Sequence, residues 1–233
     1  MQQFYTPEID IHSKRYVFND QESKHIARVL RKSSGETVRL TNGKGHLFWG
    51  TLEVLNPKRC SVKLTRSEFV APSNVQVHMA VAPTKNMDRF EWFLEKATEL
   101  GVHRITPILC ERSERKQLKM ERCTKIIEAA VKQSLRAYAP ILDALTPLKD
   151  FSTDVPVSCM AHCEDLPKIT LKKVLSNAPK SCLLIGPEGD FTPKEIEWAL
   201  AQKMQAVHLG DARLRTETAA LVALHTATLL HTS

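Results

Sequence analysis

Leu183-Leu184-Ile185-Gly186-Pro187-Glu188-Gly189-Asp190-Phe191 is the stretch on which the fold turns. A short apolar run ends, the chain turns through Gly-Pro-Glu-Gly, and Thr192-Pro193-Lys194-Glu195 opens a helix. That opening has the residues of a capping box with proline at the first helical position. An apolar run bounded by turn residues and followed by a helix predicts a strand buried on both faces, the unit of a parallel sheet. A second strand-to-helix passage lies downstream: Val207-His208-Leu209-Gly210-Asp211-Ala212-Arg213-Leu214-Arg215-Thr216-Glu217-Thr218-Ala219-Ala220. The chain has only 8 glycines, and three of them stand in these two loops. In open α/β sheets, ligands bind beyond the carboxyl ends of the strands, where such loops lie. Glycine there lets backbone approach a flat ligand closely. Arg215, Thr216, Glu217 and Thr218 put more polar chemistry at a helix start than capping requires.

Working outward, residues 75–233 read as alternating strands and helices. Strands are expected at 75–82, 105–109, 155–160, 182–185 and 206–209. Helices are expected at 88–100, about 119–138 and about 216–230. The first carries Phe90, Phe93, Leu94, Ala97 and Leu100 on one face and stops at Gly101. Such alternation predicts a mostly parallel sheet with helices on both faces. Residues 1–70 are different: short alternating segments at 16–18, 37–40, 47–54 and 60–64 are separated by turn residues. One helix is expected at about 21–32, with Ile26, Val29 and Leu30 at helical spacing. This predicts a small β-barrel at 1–70, a linker around Phe69–Asn74, and an α/β domain at 75–233.

The charge pattern points the same way. The net charge of +7 is weak evidence by itself. Residues 1–70, however, carry 12 basic and 7 acidic side chains, and residues 112–136 carry eight basic against three acidic. Local positive charge attracts a phosphate backbone and speeds encounter with it. There is no apolar run of about 18 residues to cross a membrane. The N-terminal Met1–Pro7 stretch lacks a signal-peptide profile, so a cytoplasmic location is expected. The 6 cysteines include no C-x-x-C pair. They read as buried small hydrophobes, and Cys159-Met160-Ala161-His162-Cys163 reads as a buried strand entering a loop rather than a zinc site. No metal is expected. Neither a P-loop nor a G-x-G-x-x-G pattern is present, which argues against nucleotide hydrolases and dehydrogenases.

Leu-Ile-Gly-Pro-Glu-Gly at 184–189, followed by Leu209-Gly210 and Leu214-Arg215-Thr216-Glu217-Thr218-Ala219, resembles the C-terminal signature of SPOUT methyltransferases. More narrowly it resembles the 16S ribosomal RNA uracil-N3 methyltransferase (RsmE) family. Glu95-Lys96-Ala97-Thr98-Glu99-Leu100-Gly101-Val102, Ile105-Thr106-Pro107, Glu111-Arg112-Ser113 and Gln133-Ser134-Leu135-Arg136 match other parts of that pattern. Lys24-His25-Ile26-Ala27-Arg28-Val29-Leu30-Arg31 before Gly35 resembles the family's PUA-like RNA-binding domain. The family usually has a second glycine where this chain has Asp190, and a small residue where it has Leu135. A side chain at 190 either crowds the cofactor or brings a carboxylate near its sulfonium.

The resemblance implies a trefoil-knotted C-terminal domain, a homodimer, and S-adenosylmethionine as methyl donor to 16S rRNA of the small ribosomal subunit. It implies a cofactor pocket of Ile185, Gly186, Glu188, Gly189, Leu209, Gly210, Leu214, Thr216 and Thr218. Arg215 is then the group that stabilises charge on the uracil carbonyls, and Glu217 either the base for the N3 proton or the residue holding Arg215. Arg28, Arg31, Arg112, Gln133 and Arg136 become RNA contacts, the last three gathered at one sheet edge. A SPOUT enzyme for another rRNA or tRNA site, and a non-catalytic ribosome-binding factor, stay open at this point.

Overall fold

Period-two burial of Val38 and Leu40 against half-exposed Arg39 shows how the first region folds: one side of each strand faces an apolar core. The computed structural model describes residues 1–231, so the last two residues of the expected 75–233 domain lie outside the described residues. The chain divides into two units. One is Met1–Pro72 with Val131–Ala139; the other is Ser73–Ala130 with Pro140 onward. A single boundary between 70 and 75 therefore misses the segment that returns to the first unit.

In the first unit, β1 (Gln3–Tyr5), β2 (Arg15–Val17), β3 (Thr37–Thr41), β4 (His46–Asn56) and β5 (Arg59–Phe69) form one sheet in the order β1-β3-β4-β5-β2. Only the β1–β3 pair is parallel. Among the described residues, no ladder joins β1 to β2, so backbone pairing does not close the expected barrel. Phe4, Phe18, Ile26, Leu40, Phe48 and Leu52 form the core. β1 carries too little pattern in three residues to be read from sequence. The helix expected at 21–32 is instead α1 (Asp20–Lys24), capped by Asn19, running into one π-helical stretch at His25–Val29. It stops where Arg31 takes a φ of 50°.

The second unit contains β6 (Gln76–Val81), α2 (Met87–Leu100), β7 (Arg104–Leu109), β8 (Ile141–Leu142), β9 (Thr146–Pro147), β10 (Val157–Ala161) and β11 (Ile169–Thr170). The short helix α4 (Leu171–Leu175), β12 (Lys180–Ile185), α5 (Pro193–Ala201), β13 (Gln205–His208) and α6 (Thr216–Leu229) complete it. The sheet runs β11-β13-β10-β12-β6-β7-β8, with β9 also on β7, and every pair is parallel. Ala80, Ile108, Leu184, Phe191 and Ile196 anchor the core on one side, while α6 packs on β6 and β12 and against α2. Gly101, with a φ of 86°, ends α2 as its C-cap. On α6, Leu224 is buried, Leu221 and Leu230 are half-buried, and Leu229 is exposed.

The helix expected at 119–138 is α3 (Met120–Gln133), which is shorter. Leu135 has a φ of 57°, a left-handed conformation that a helix cannot continue through and that suits the small residue of the family pattern. The chain then bonds to the first unit. Arg39 donates to the Leu135 carbonyl at 3.0 Å, and Thr41 to that of Ala137 at 3.1 Å.

One polar network lies inside the second unit. The His78 Nε2 and the Thr106 hydroxyl are 2.7 Å apart, and Thr106 donates to Asp143, which also takes two bonds from Arg104 at 2.7 and 2.9 Å. With Thr106 donating onward, His78 is the donor to it. Burial first, and the Arg104 charge second, push the His78 imidazole down to about 4. The unfolded chain, with an ordinary histidine at 6.5, binds the extra proton between those two values. Stability from this site is thus complete above pH 6.5 and is lost as pH falls toward 4. The loss is on the order of 3 kcal/mol. Urea denaturation of the wild type should therefore weaken more steeply from pH 6.5 to 4 than that of His78→Gln; equal slopes would refute the assignment.

Candidate active site

The site follows from the sheet order. Ala161, the last residue of β10, pairs with Ile185 at the end of β12 and with Val207 in β13. Three parallel strands thus deliver their carboxyl ends side by side, and the loops that follow enclose a cavity of about 780 Å³. That volume suits a small organic ligand. Residues 161–165 and 168, 185–190, 207–216, Ala219 and Arg112 line it.

The local chemistry of each loop explains its shape. At Gly186 a Cβ would stand 3.1 Å from the Phe191 ring, and at Gly189 it would stand 3.1 Å from the Cβ of Arg112. Arg112 lies along this loop and donates to the Gly189 carbonyl at 2.9 Å. Gly210 has a φ of 125°, which residues with a Cβ rarely adopt. The Thr216 hydroxyl donates to the Gly186 carbonyl at 3.0 Å, tying the start of α6 to the β12 loop. Thr192 and Glu195 form the expected capping box, with Pro193 in the first turn.

Asp190 is placed by its own φ of 61°. Left-handed backbone favours glycine and tolerates aspartate, which accounts for both the family pattern and this departure from it. Its carboxylate accepts from the Cys163 amide at 2.7 Å and from the Phe191 amide at 2.8 Å. Its side chain is thereby held by the loops it joins.

Of the expected cofactor residues, Ile185, Gly186, Glu188, Gly189, Leu209, Gly210, Leu214 and Thr216 line the cavity, as does Arg215. Thr218 and Glu217 do not. Glu217 is buried and lies 3.8 Å from Arg89 of α2. Residues two apart on a helix do not share a face, so closeness in sequence to Arg215 is misleading. The partner of Glu217 is Arg89, which corrects the reading that it holds Arg215. Glu188 accepts from the Lys85 amide at 2.9 Å.

The RNA-contact candidates are divided. Arg112 lies at the cavity in the second unit, whereas Arg28, Arg31, Gln133 and Arg136 belong to the first. Arg28, Arg31 and Gln133 are exposed. Arg136 is half-buried, and burial holds its guanidinium below its ordinary range.

Sequence reasoning missed the loop after β10, which supplies His162, Glu164, Asp165 and Lys168 to the cavity. The only signal was the strand ending at Cys159–Cys163. Five cysteines are buried, but Cys163 is exposed. Among the described residues, no cluster of three or more His, Cys, Asp or Glu could hold a metal ion, and no helix is long and apolar enough to cross a membrane.

Residues 71–228 match the model of the RNA methyltransferase domain, and residues 18–65 that of the RNA methyltransferase PUA domain. The chain belongs to this RNA methyltransferase family. More narrowly, it is similar to ribosomal RNA small subunit methyltransferase E of Bacillus subtilis, with 31% identity over 227 residues covering 88% of this chain and 86% of the relative. The corresponding enzyme from Neisseria gonorrhoeae, solved with S-adenosylmethionine bound, superposes with a TM-score of 0.86 at 27% identity, covering 99% of this chain and 98% of its own. A structure from Porphyromonas gingivalis assigned as an rRNA methyltransferase gives 0.86 at 36% identity, covering 98% and 99%.

The geometry at Asp190 sets a stability order. Replacement by Ala or Gly removes the same hydrogen bonds, but only Ala keeps a Cβ at positive φ. Asp190→Ala should be about 1 kcal/mol less stable than Asp190→Gly in urea titration. Equal stabilities would show that the backbone conformation is not what restricts this position.

Proposed function

We propose that this chain transfers the methyl group of S-adenosylmethionine to N3 of a uridine in 16S rRNA of the small ribosomal subunit. The observation that carries this reading is the glycine-shaped cavity at the ends of β10, β12 and β13, with Arg215 on its lining, in a chain of the RNA methyltransferase family. Ile185, Gly186, Glu188, Gly189, Leu209, Gly210, Leu214 and Thr216 would hold the cofactor, and Thr218 would support them from the first turn of α6. When bound, that cofactor supplies an electrophilic methyl group for in-line displacement, a reaction that depends chiefly on positioning.

The protein's own contribution is electrostatic. N3 of uracil is a poor nucleophile while protonated. Arg215 is exposed at the cavity and has the charge to stabilise oxyanion character on the uracil carbonyls as the N3 proton leaves to solvent. Glu217 lies off the cavity beside Arg89, so its role in this scheme is to position α2 against α6. Arg28, Arg31, Gln133 and Arg136 would grip RNA from the first unit, whose basic surplus favours phosphate. Arg112 would contact it at the cavity. The reading also includes a cytoplasmic homodimer and a trefoil knot formed by the C-terminal segment; exposed Trp92, Val222 and Leu229 on α2 and α6 support the dimer.

The direct test is methyl transfer from labelled S-adenosylmethionine to small subunits lacking native N3-methyluridine, followed by nucleoside mapping. N3-methyluridine in 16S rRNA is expected. Arg215→Ala should cut turnover about 100- to 1000-fold, the usual effect of losing one oxyanion-stabilising group. Its cofactor affinity should stay within a few-fold. Cofactor binding without transfer to the subunit or its free RNA would overturn the 16S assignment in favour of another RNA.

A further inference from the structure

The proposed function leaves the outward face of the first sheet unused. Strand register sorts its side chains. Val38, Leu40, Phe48, Leu52 and Val62 face the core, so the residues that alternate with them face outward. On that outward face Trp49 of β4 stands opposite Arg39 of β3 on one side and Arg66 of β5 on the other. In the next row Thr51 stands opposite Lys63 of β5, which is itself opposite Arg15 of β2. The β3 end of this face is covered from within the same unit. Arg39 and Thr41 bond to the carbonyls of Leu135 and Ala137, and Thr41 and Leu47 are buried. From Trp49 to Arg15 the face is open: Arg15, Lys63 and Arg66 are exposed and Trp49 is half-buried.

What lies over Trp49 is a cation. The Arg66 guanidinium sits above the indole, 4.6 Å from the ring centroid, and pairs with Glu68 two residues along the same strand. Cation–π attraction and that ion pair together hold the guanidinium in place. Glu53 pairs with Arg15 in the same way. Arg15, Arg39, Lys63 and Arg66 therefore stand on this face against Glu53 and Glu68, which leaves it positive, the complement of a phosphate backbone. The occupant follows from combining charge with an aromatic ring. Indole and guanidinium are both planes on which a nucleobase stacks, and neighbouring cations take the phosphates. A base inside a duplex is already stacked on its neighbours, so the strand that fits is a single one. An acidic peptide would use the charge and leave the ring without a task. Arg28 belongs elsewhere: its helical segment buries Ile26 in the core, so it is carried on the core side of the sheet rather than on this face.

We propose that this outward face binds single-stranded RNA, with one nucleobase stacked on the Trp49–Arg66 pair and backbone phosphates on Lys63 and Arg15. This rests on the reading that RNA is the substrate, and its test separates the two. Fluorescence anisotropy is read on the full chain over a series of salt concentrations, with a labelled oligouridine and with a labelled RNA duplex. Trp49→Ala should weaken oligouridine binding about tenfold, within the range for one base stacked on an aromatic ring. Its salt slope should stay that of the wild type, and its duplex binding should hardly change. Trp49→Phe, which keeps a ring, should recover most of the loss. Lys63→Ala should instead lower the oligouridine salt slope by about 0.7, the effect of one phosphate contact on a single strand. Wild-type affinity of Trp49→Ala for oligouridine would overturn the stacking, as would an equal loss on the duplex; an unchanged slope in Lys63→Ala would overturn the phosphate contact. Polyglutamate that displaces oligouridine at equal charge concentration would make this a face for an acidic protein and refute the proposal. Wild type that binds neither oligouridine nor 16S rRNA would overturn the RNA-substrate reading, and this proposal with it. If the variants fail to fold, ultraviolet crosslinking of the wild type to a strand carrying 5-iodouridine decides. The adduct should map to Trp49, and adducts confined to other segments would refute the stacking.

Discussion

The parallel pairing of β10 between β12 and β13 is the constraint on which the rest of the second unit depends. Parallel strands cannot be joined by tight hairpins, so each requires a crossover, and each crossover begins with a loop at the same edge of the sheet. Because Ala161 is in register with both Ile185 and Val207, three such loops start within neighbouring strands. The cavity is therefore a product of strand order rather than of any one motif. A change of one residue in the register of β10 would carry His162 to the other face of the sheet and remove it from the cavity.

Enclosing a ligand with loops exposes backbone polar groups that must find partners. Here the loops largely satisfy one another. Thr216 serves the Gly186 carbonyl, Arg112 that of Gly189, and Asp190 the amide of Cys163. Each bond ties a different segment to the β12 loop, which thereby links α6, the β10 loop and Arg112. This is the physical sense in which the site is preorganised. The left-handed backbone at Asp190 is the local strain that this geometry requires, whereas Gly210 takes its positive φ without a Cβ to clash.

The sheet and its loops were legible in the sequence because buried parallel strands are apolar runs and their ends are marked by Gly186, Gly189 and Gly210. The contribution of the β10 loop was not, since nothing in residues 159–168 says which strands flank it; that is set by long-range pairing. The return of residues 131–139 to the first unit was hidden for a related reason. Helical periodicity continues through that segment, and the φ of 57° at Leu135 together with bonds to the segment from Gln3, Arg39, Thr41 and Gly45 redirects it. Glu217 shows a third limit. Its neighbours in sequence pointed to the cavity, whereas the 100° per residue of a helix turned it toward Arg89.

That rotation also sorts the first turn of α6 by task. Thr216 faces the Gly186 carbonyl, Arg215 stays exposed on the cavity, and Glu217 is buried beside α2. Three consecutive residues thus fix a loop, present a cation and anchor a helix, each through a different direction around the same axis. A buried carboxylate 3.8 Å from its partner, with one oxygen unmatched, gains little as an ion pair after its desolvation. Replacing it by an apolar residue of similar volume therefore need not cost stability. The burial of Glu217 and the exposure of Arg215 are thus set by one helix start, although only Arg215 lines the cavity.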